Sequence, residues 1–153
     1  MKFFPWQKAA DLFSAEEKKF IVDAVQYNES RTSGEIRVFV ESYCKYVDAI
    51  DRAAEIFFGL QMEKTEQRNA VLVYVALKDR QLAIFADEGI YNKLGKEYWM
   101  NEVKEMVSNF NRADYAAGIR QCVNDIGEAL HEHFPYDAEI DKNELPDEIV
   151  FGH

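Results

Sequence analysis

Read from the amino terminus, the chain changes its hydrophobic period several times, and each change marks an element. Ser14 and Glu17 have the spacing of a capping box, and Ala15, Phe20, Ile21, Ala24 and Val25 follow at helical intervals. A helix is therefore predicted from Ser14, fading before Thr32-Ser33-Gly34. Residues 35–41 then alternate, with β-branched Ile36, Val38 and Val40 on one side, which predicts a strand. Asp48 opens a second helix, whose Ile50, Ala53, Ala54, Phe57 and Phe58 share one face and which runs to about Glu63. The almost wholly apolar stretch 69–77 reads as a central strand covered on both faces. Lys78-Asp79-Arg80 separates it from 81–87, and the two strands form an antiparallel hairpin that ends at Glu88-Gly89. Two more helices follow. One turns Trp99, Val103, Met106, Val107 and Phe110 inward; the other turns Ile119, Cys122, Val123, Ile126 and Leu130 inward and stops at Pro135.

This order predicts an α/β fold: a three-layer α/β/α sandwich of Rossmann-like appearance, with a small mixed sheet and helices on both faces. The first two strands should lie parallel, joined by a right-handed crossover. An N-terminal extension (1–13), a domain (14–134) and an acidic C-terminal tail (135–153) are expected.

At 153 residues the chain can bury a core without staples, and 48% hydrophobic with 14% aromatic residues excludes global disorder. Lys plus Arg number 18 against 28 Asp plus Glu, a net charge of −10 that repels phosphate backbones and anionic lipid. No nucleic-acid partner and no membrane insertion are expected, and cations or basic protein surfaces fit better. The tail carries Asp137, Glu139, Asp141, Glu144, Asp147 and Glu148 against Lys142, half of the net charge. Pro5, Gln7, Lys8 and Asp11 interrupt any signal-peptide core, and no run of about eighteen apolar residues occurs. Cys44 and Cys122 form no CxxC pair, so both are expected in the core of a cytoplasmic protein in a reducing compartment.

Several catalytic templates are missing. The chain has neither GxxxxGK[ST] nor GxSxG. A thiol phosphatase needs an Arg six residues beyond its Cys, where Ile50 and Glu128 stand here. His131 and His133, two apart on a helix, point to different faces and cannot jointly grip a metal. Asp141 and Asn143 begin like an EF-hand, but Leu145 and Pro146 replace its next ligand and its glycine.

Topology supplies the candidate site. With two parallel strands and a returning hairpin, the starts of strands one and two and the end of strand three meet at one rim. That rim gathers Thr32, Ser33, Gly34 and Glu35 with Arg68 and Asn69, and with Asp87, Glu88 and Gly89; Glu97, at a helix start, can reach it. Crowded carboxylates need protons, an arginine or a cation to offset their repulsion. Calcium, which takes about six to eight oxygens in irregular geometry, suits Glu35, Asn69, Asp87, Glu88 and Glu97, and magnesium is the alternative. A blander reading stands beside it: Asp87 and Glu88 are turn residues, Glu35 pairs with Arg37 or Arg68, and Glu97 complements a helix dipole.

At these residues the chain resembles the TPM domain family, named for a thylakoid lumen protein, a photosystem II repair protein and a nematode receptor modulator. The likeness spans roughly 13–130 and rests on Thr32-Ser33-Gly34-Glu35-Ile36, Asn69-Ala70-Val71-Leu72, the Asp79-Arg80 turn, Asp87-Glu88-Gly89-Ile90, Glu97, Phe110, Asp114-Tyr115 and Gly118-Ile119. The form is similar to short soluble bacterial members with an acidic tail. The resemblance implies the α/β/α fold, calcium binding near strand and loop ends, and a contested weak acid phosphatase activity. Asp87 stands where the family usually has glycine, which disfavours a phosphate-cradling backbone and adds a ligand for a cation. The expectation is a calcium-binding domain that serves as a protein-interaction or regulatory module. The alternatives are a metal-assisted phosphatase with Arg68 on the phosphate but no evident nucleophile, and a structural adaptor using the tail.

Overall fold

The structure, a computed structural model, describes residues 8–111, 114–137 and 149–152. The expected capping box is present: Ser14 Oγ accepts from the Glu17 amide at 3.0 Å, and Glu17 accepts from the Ser14 amide at 2.9 Å. It opens α1 (Ala15–Glu29). Then come β1 (Glu35–Glu41), α2 (Ala49–Gly59), β2 (Ala70–Ala76) and β3 (Gln81–Ala86). They are followed by α3 (Glu88–Leu94), α4 (Lys96–Phe110), α5 (Tyr115–His133) and β4 (Val150–Phe151). Ahead of α1, a 3-10 turn at Ala9–Leu12 buries Ala9 and Leu12, so the core begins inside the segment read as an extension.

The strands form one mixed sheet in the order β3-β2-β1-β4. β1 runs parallel to β2 with Glu35 opposite Ala70, β2 runs antiparallel to β3, and β4 pairs parallel with Phe39 and Val40 of β1. Alternation along β2 divides the core into two layers. Val71, Val73 and Val75 pack with Ile36, Val38 and Val40 toward the side that holds Ile21, Met106 and Ile126 of α1, α4 and α5. Leu72 and Tyr74 face Ala53, Ile56 and Phe57 of α2. The three-layer α/β sandwich expected from the pattern is the observed architecture.

Four local differences have plain physical reasons. The second helix ends at Gly59, and Gln61 follows with φ 59°, a left-handed residue that no helix continues through. Glu88-Gly89 does not close the hairpin but enters α3, a short helix capped by Asp87. Two-residue β4 has too few positions to show a period. Val107, expected inward, is exposed, and Glu102 takes a place in the buried stripe of α4 instead.

Among the expected core cysteines, Cys122 is buried and Cys44 is half-buried. His131 is exposed, its Nδ1 lying 2.8 Å from the Arg31 carbonyl oxygen. Asp141, Asn143 and most of the acidic tail lie outside the described residues. α1 and α5 approach closely at Gly127, where a Cβ would overlap the buried Asn28 side chain. Asn28 Nδ2 donates to the Ala24 carbonyl and to Asn124 Oδ1, both at 2.8 Å.

Candidate functional site

The rim predicted from chain direction forms. The Glu35 amide donates to the Asn69 carbonyl at 3.4 Å, and the Asp87 amide donates to the Ala70 carbonyl at 2.9 Å, so three strand ends meet in one row. Backbone convergence does not make the side chains converge. Ala70 stands between Glu35 and Asp87, so the two acids are about two strand spacings, roughly 9–10 Å, apart.

Arg68 settles the charge at Asp87. Its Nε and Nη2 donate to the two oxygens of Asp87 at 2.7 and 2.8 Å, and its Nη1 lies 3.3 Å from Glu88. Asp87 is only 4% exposed, and its Oδ1 also accepts the Glu88 amide at 2.8 Å to cap α3. The hydrogen bond to Asp87, then the field of Asp87 and Glu88, raise the Arg68 guanidinium above its ordinary value despite desolvation. Local backbone geometry fixes this arrangement. Arg68 has a left-handed φ of 52°, and its carbonyl accepts the Gly89 amide at 2.8 Å. A Cβ at Gly89 would collide with the Gln67 and Arg68 carbonyl oxygens, so only glycine permits the approach.

Asn69 and Glu35 lie deeper, at 1% and 2% exposure. Ser33 Oγ accepts from Gln67 Nε2 at 3.2 Å and from Asn69 Nδ2 at 3.3 Å. Asn69 Oδ1, by contrast, is buried with no hydrogen-bond partner among the described residues. Glu97 is exposed in the first turn of α4, where a negative charge complements the helix dipole. As a cation site, the rim therefore offers one orphaned amide oxygen, on Asn69, beside a buried Glu35 carboxylate that has an interaction of its own, while Asp87 and Glu88 are engaged by Arg68. No three of Glu35, Asp87, Glu88 and Glu97 bring carboxylate oxygens within 4.8 Å of one another. A phosphate-binding role for Arg68 meets the same obstacle, since Asp87 occupies the guanidinium. Burial pushes the Cys122 thiol well up, so it supplies no nucleophile.

Sequence reasoning missed a second acidic group. Among the described residues, one trio of potential ligand side chains has its ligand atoms within 4.8 Å of one another: Glu102, Glu105 and Asp125. Burial, then the charges of Asp125 and Glu105, push the Glu102 carboxyl up to about 7. The available signal was Glu102 itself, an acid in register with buried Trp99, Met106 and Phe110.

A family model described as the TPM domain matches residues 7–129. The chain belongs to the TPM domain family. A solved structure of the BA42 protein from the psychrophilic bacterium Bizionia argentinensis is similar at a TM-score of 0.82 and 35% identity, over 90% of this chain and 94% of that one. The N-terminal domain of the cg2496 protein from Corynebacterium glutamicum shares the fold at a TM-score of 0.59 and 14% identity, over 85% and 86% of the two chains. No curated protein gives a significant match. Among the described residues of this TPM domain, no helix is long and apolar enough to cross a membrane.

Proposed function

We propose that this TPM domain is a divalent-cation-binding module, with calcium the preferred ion and magnesium second, that acts by recognising a protein partner. The reading is carried by Asn69 Oδ1, a buried amide oxygen without a hydrogen-bond partner among the described residues, at the rim that also holds the buried Glu35 carboxylate. An orphaned buried acceptor costs about 1–3 kcal/mol, and an oxygen-seeking cation offsets that cost. Glu35 and Asn69 are the ligands this reading keeps; Asp87 and Glu88 would join only if Arg68 withdrew, and Glu97 only from the exposed end of α4. The net charge of −10 favours cations in general and a basic partner surface. A cytoplasmic location, expected from the two free cysteines, goes with this reading.

Calorimetric titration with calcium tests it. Wild type should bind, Asp87→Ala should retain binding, and Asn69→Ala, checked for its fold by NMR, should bind at least tenfold more weakly. Equal affinity in wild type and Asn69→Ala rejects the rim as the ion's seat.

A further inference from the structure

We infer that the cleft between α4 and α5 is a separate binding site for a hard divalent cation of the calcium class, ligated by Glu102, Glu105 and Asp125. The cleft has a volume of about 810 Å³, and Glu128 and Glu132 also line it, but no lysine or arginine does. Acidic side chains gather on many protein surfaces, and gathering alone assigns nothing. Burial separates this group from those. Glu102 is 8% exposed and sits between Trp99 and Met106 in the stripe that α4 turns to the core. Its Oε2 is inaccessible to solvent and has no hydrogen-bond partner among the described residues. A buried carboxylate whose ligand atom lies within 4.8 Å of those of two more acids is costly in a protein interior unless a proton or a cation joins it.

The fold sets the other two ligands beside the Glu102 carboxylate. Glu105 lies one turn further along α4, on the same face as Glu102. Asp125 comes from α5, where Gln121 Nε2 donates to its Oδ1 at 2.9 Å and the Tyr98 hydroxyl donates to its backbone carbonyl at 3.4 Å. The Tyr98 bond ties the Asp125 backbone to α4, and the Asp125 carboxylate has its ligand atom within 4.8 Å of those of Glu102 and Glu105. Nearby groups do not replace the cation: Glu128 is taken by Arg31 at 2.8 Å, and His131 faces the Arg31 carbonyl. Three carboxylates with no thiolate or imidazole among them select a hard ion over zinc or copper. The open side of the cleft leaves room for water to complete the calcium shell.

Paramagnetic relaxation with Mn2+ as the probe reads both regions at once in the full chain. At substoichiometric Mn2+, amide signals around 102–105 and 125 should broaden, and excess calcium should restore them. Glu105→Gln and Asp125→Asn, which leave the buried stripe untouched, should each weaken the calcium competition at least tenfold, with a thermal unfolding temperature in EDTA no lower than that of wild type. Glu102→Gln should abolish it. Broadening confined to 33–35 and 69, or full competition in the Glu105 and Asp125 variants, overturns this site and leaves the rim proposal standing. Calcium-reversible broadening at the cleft alone supports it and removes the rim. No calcium-reversible broadening anywhere rejects both.

Discussion

At the sheet rim, Asp87 and Glu88 share one guanidinium; between α4 and α5, no ion pair reaches Glu102, Glu105 or Asp125 among the described residues. Both regions crowd acids against a hydrophobic core, yet they differ in what the backbone delivers. The left-handed turn at Arg68 and the side-chain-free approach at Gly89 bring a cation from the neighbouring residue into bidentate contact with Asp87. The lining of the cleft has no lysine or arginine, and the basic residues of its helices form no ion pair with the trio among the described residues. Acid density is therefore a poor guide to uncompensated charge, and whether the backbone delivers a counter-charge is the better one.

The largest effect should come from removing that counter-charge. Arg68→Ala leaves the buried Asp87 carboxylate with the Glu88 amide but without its counter-charge, and the urea midpoint should fall further than for any other substitution considered. Urea denaturation measures it; a loss under about 1 kcal/mol would mean that the rim relaxes or hydrates and that the contrast between the regions is weak.

Calcium comes next. At one hundred times its dissociation constant, calcium should stabilise wild type by about 3 kcal/mol in differential scanning calorimetry. Asp125→Asn should lose the share of that gain that the cleft supplies, and an undiminished gain would move the ion away from the cleft.

Without metal, the cleft should show its own pH dependence. A carboxyl held at about 7 in the fold binds a proton that the unfolded chain, with its carboxyl near 4.5, has released. Stability in EDTA should therefore decline as pH rises from about 4.5 to about 7 and contribute no further change above. Glu102→Gln should flatten that limb and raise stability at pH 8 by about 2 kcal/mol. A variant no more stable than wild type at pH 8 would show that Glu102 is solvated in the free protein.

The smallest effect calibrates the scale. Lys19 and Asp23 form an exposed pair at 2.7 Å on α1, and Asp23→Asn should change stability by only a few tenths of a kcal/mol. A larger change would mean that surface charge dominates everywhere in this acidic chain.

How much of this was readable beforehand depends on the range of the interaction. The Ser14–Glu17 box, the β1 alternation and the β2–β3 hairpin are local patterns, and the structure follows them. Topology also placed Glu35, Asn69 and Asp87 on one rim. α3 escaped because seven residues with a glycine second in line show little helical periodicity, although Asp87 was its cap. β4 escaped because its partners on β1 lie far away in sequence. At the rim, the decisive contact of Arg68 depends on a positive φ that residue types alone do not reveal. In the cleft, Glu102 was visible as an acid on the apolar phase of its helix, but Asp125, its neighbour across the cleft, belongs to another element.

Where α1 and α5 touch, the absence of a side chain at 127 and the presence of an amide at 28 are two halves of one fit. Neither position can drift by itself. Alanine at 127 requires a smaller residue at 28 or a wider gap between the helices, and a smaller residue at 28 empties the notch and strands Asn124. In any related sequence that keeps this helix pair, the two positions should change as a couple, and libraries that vary one of them should sample the other alongside it.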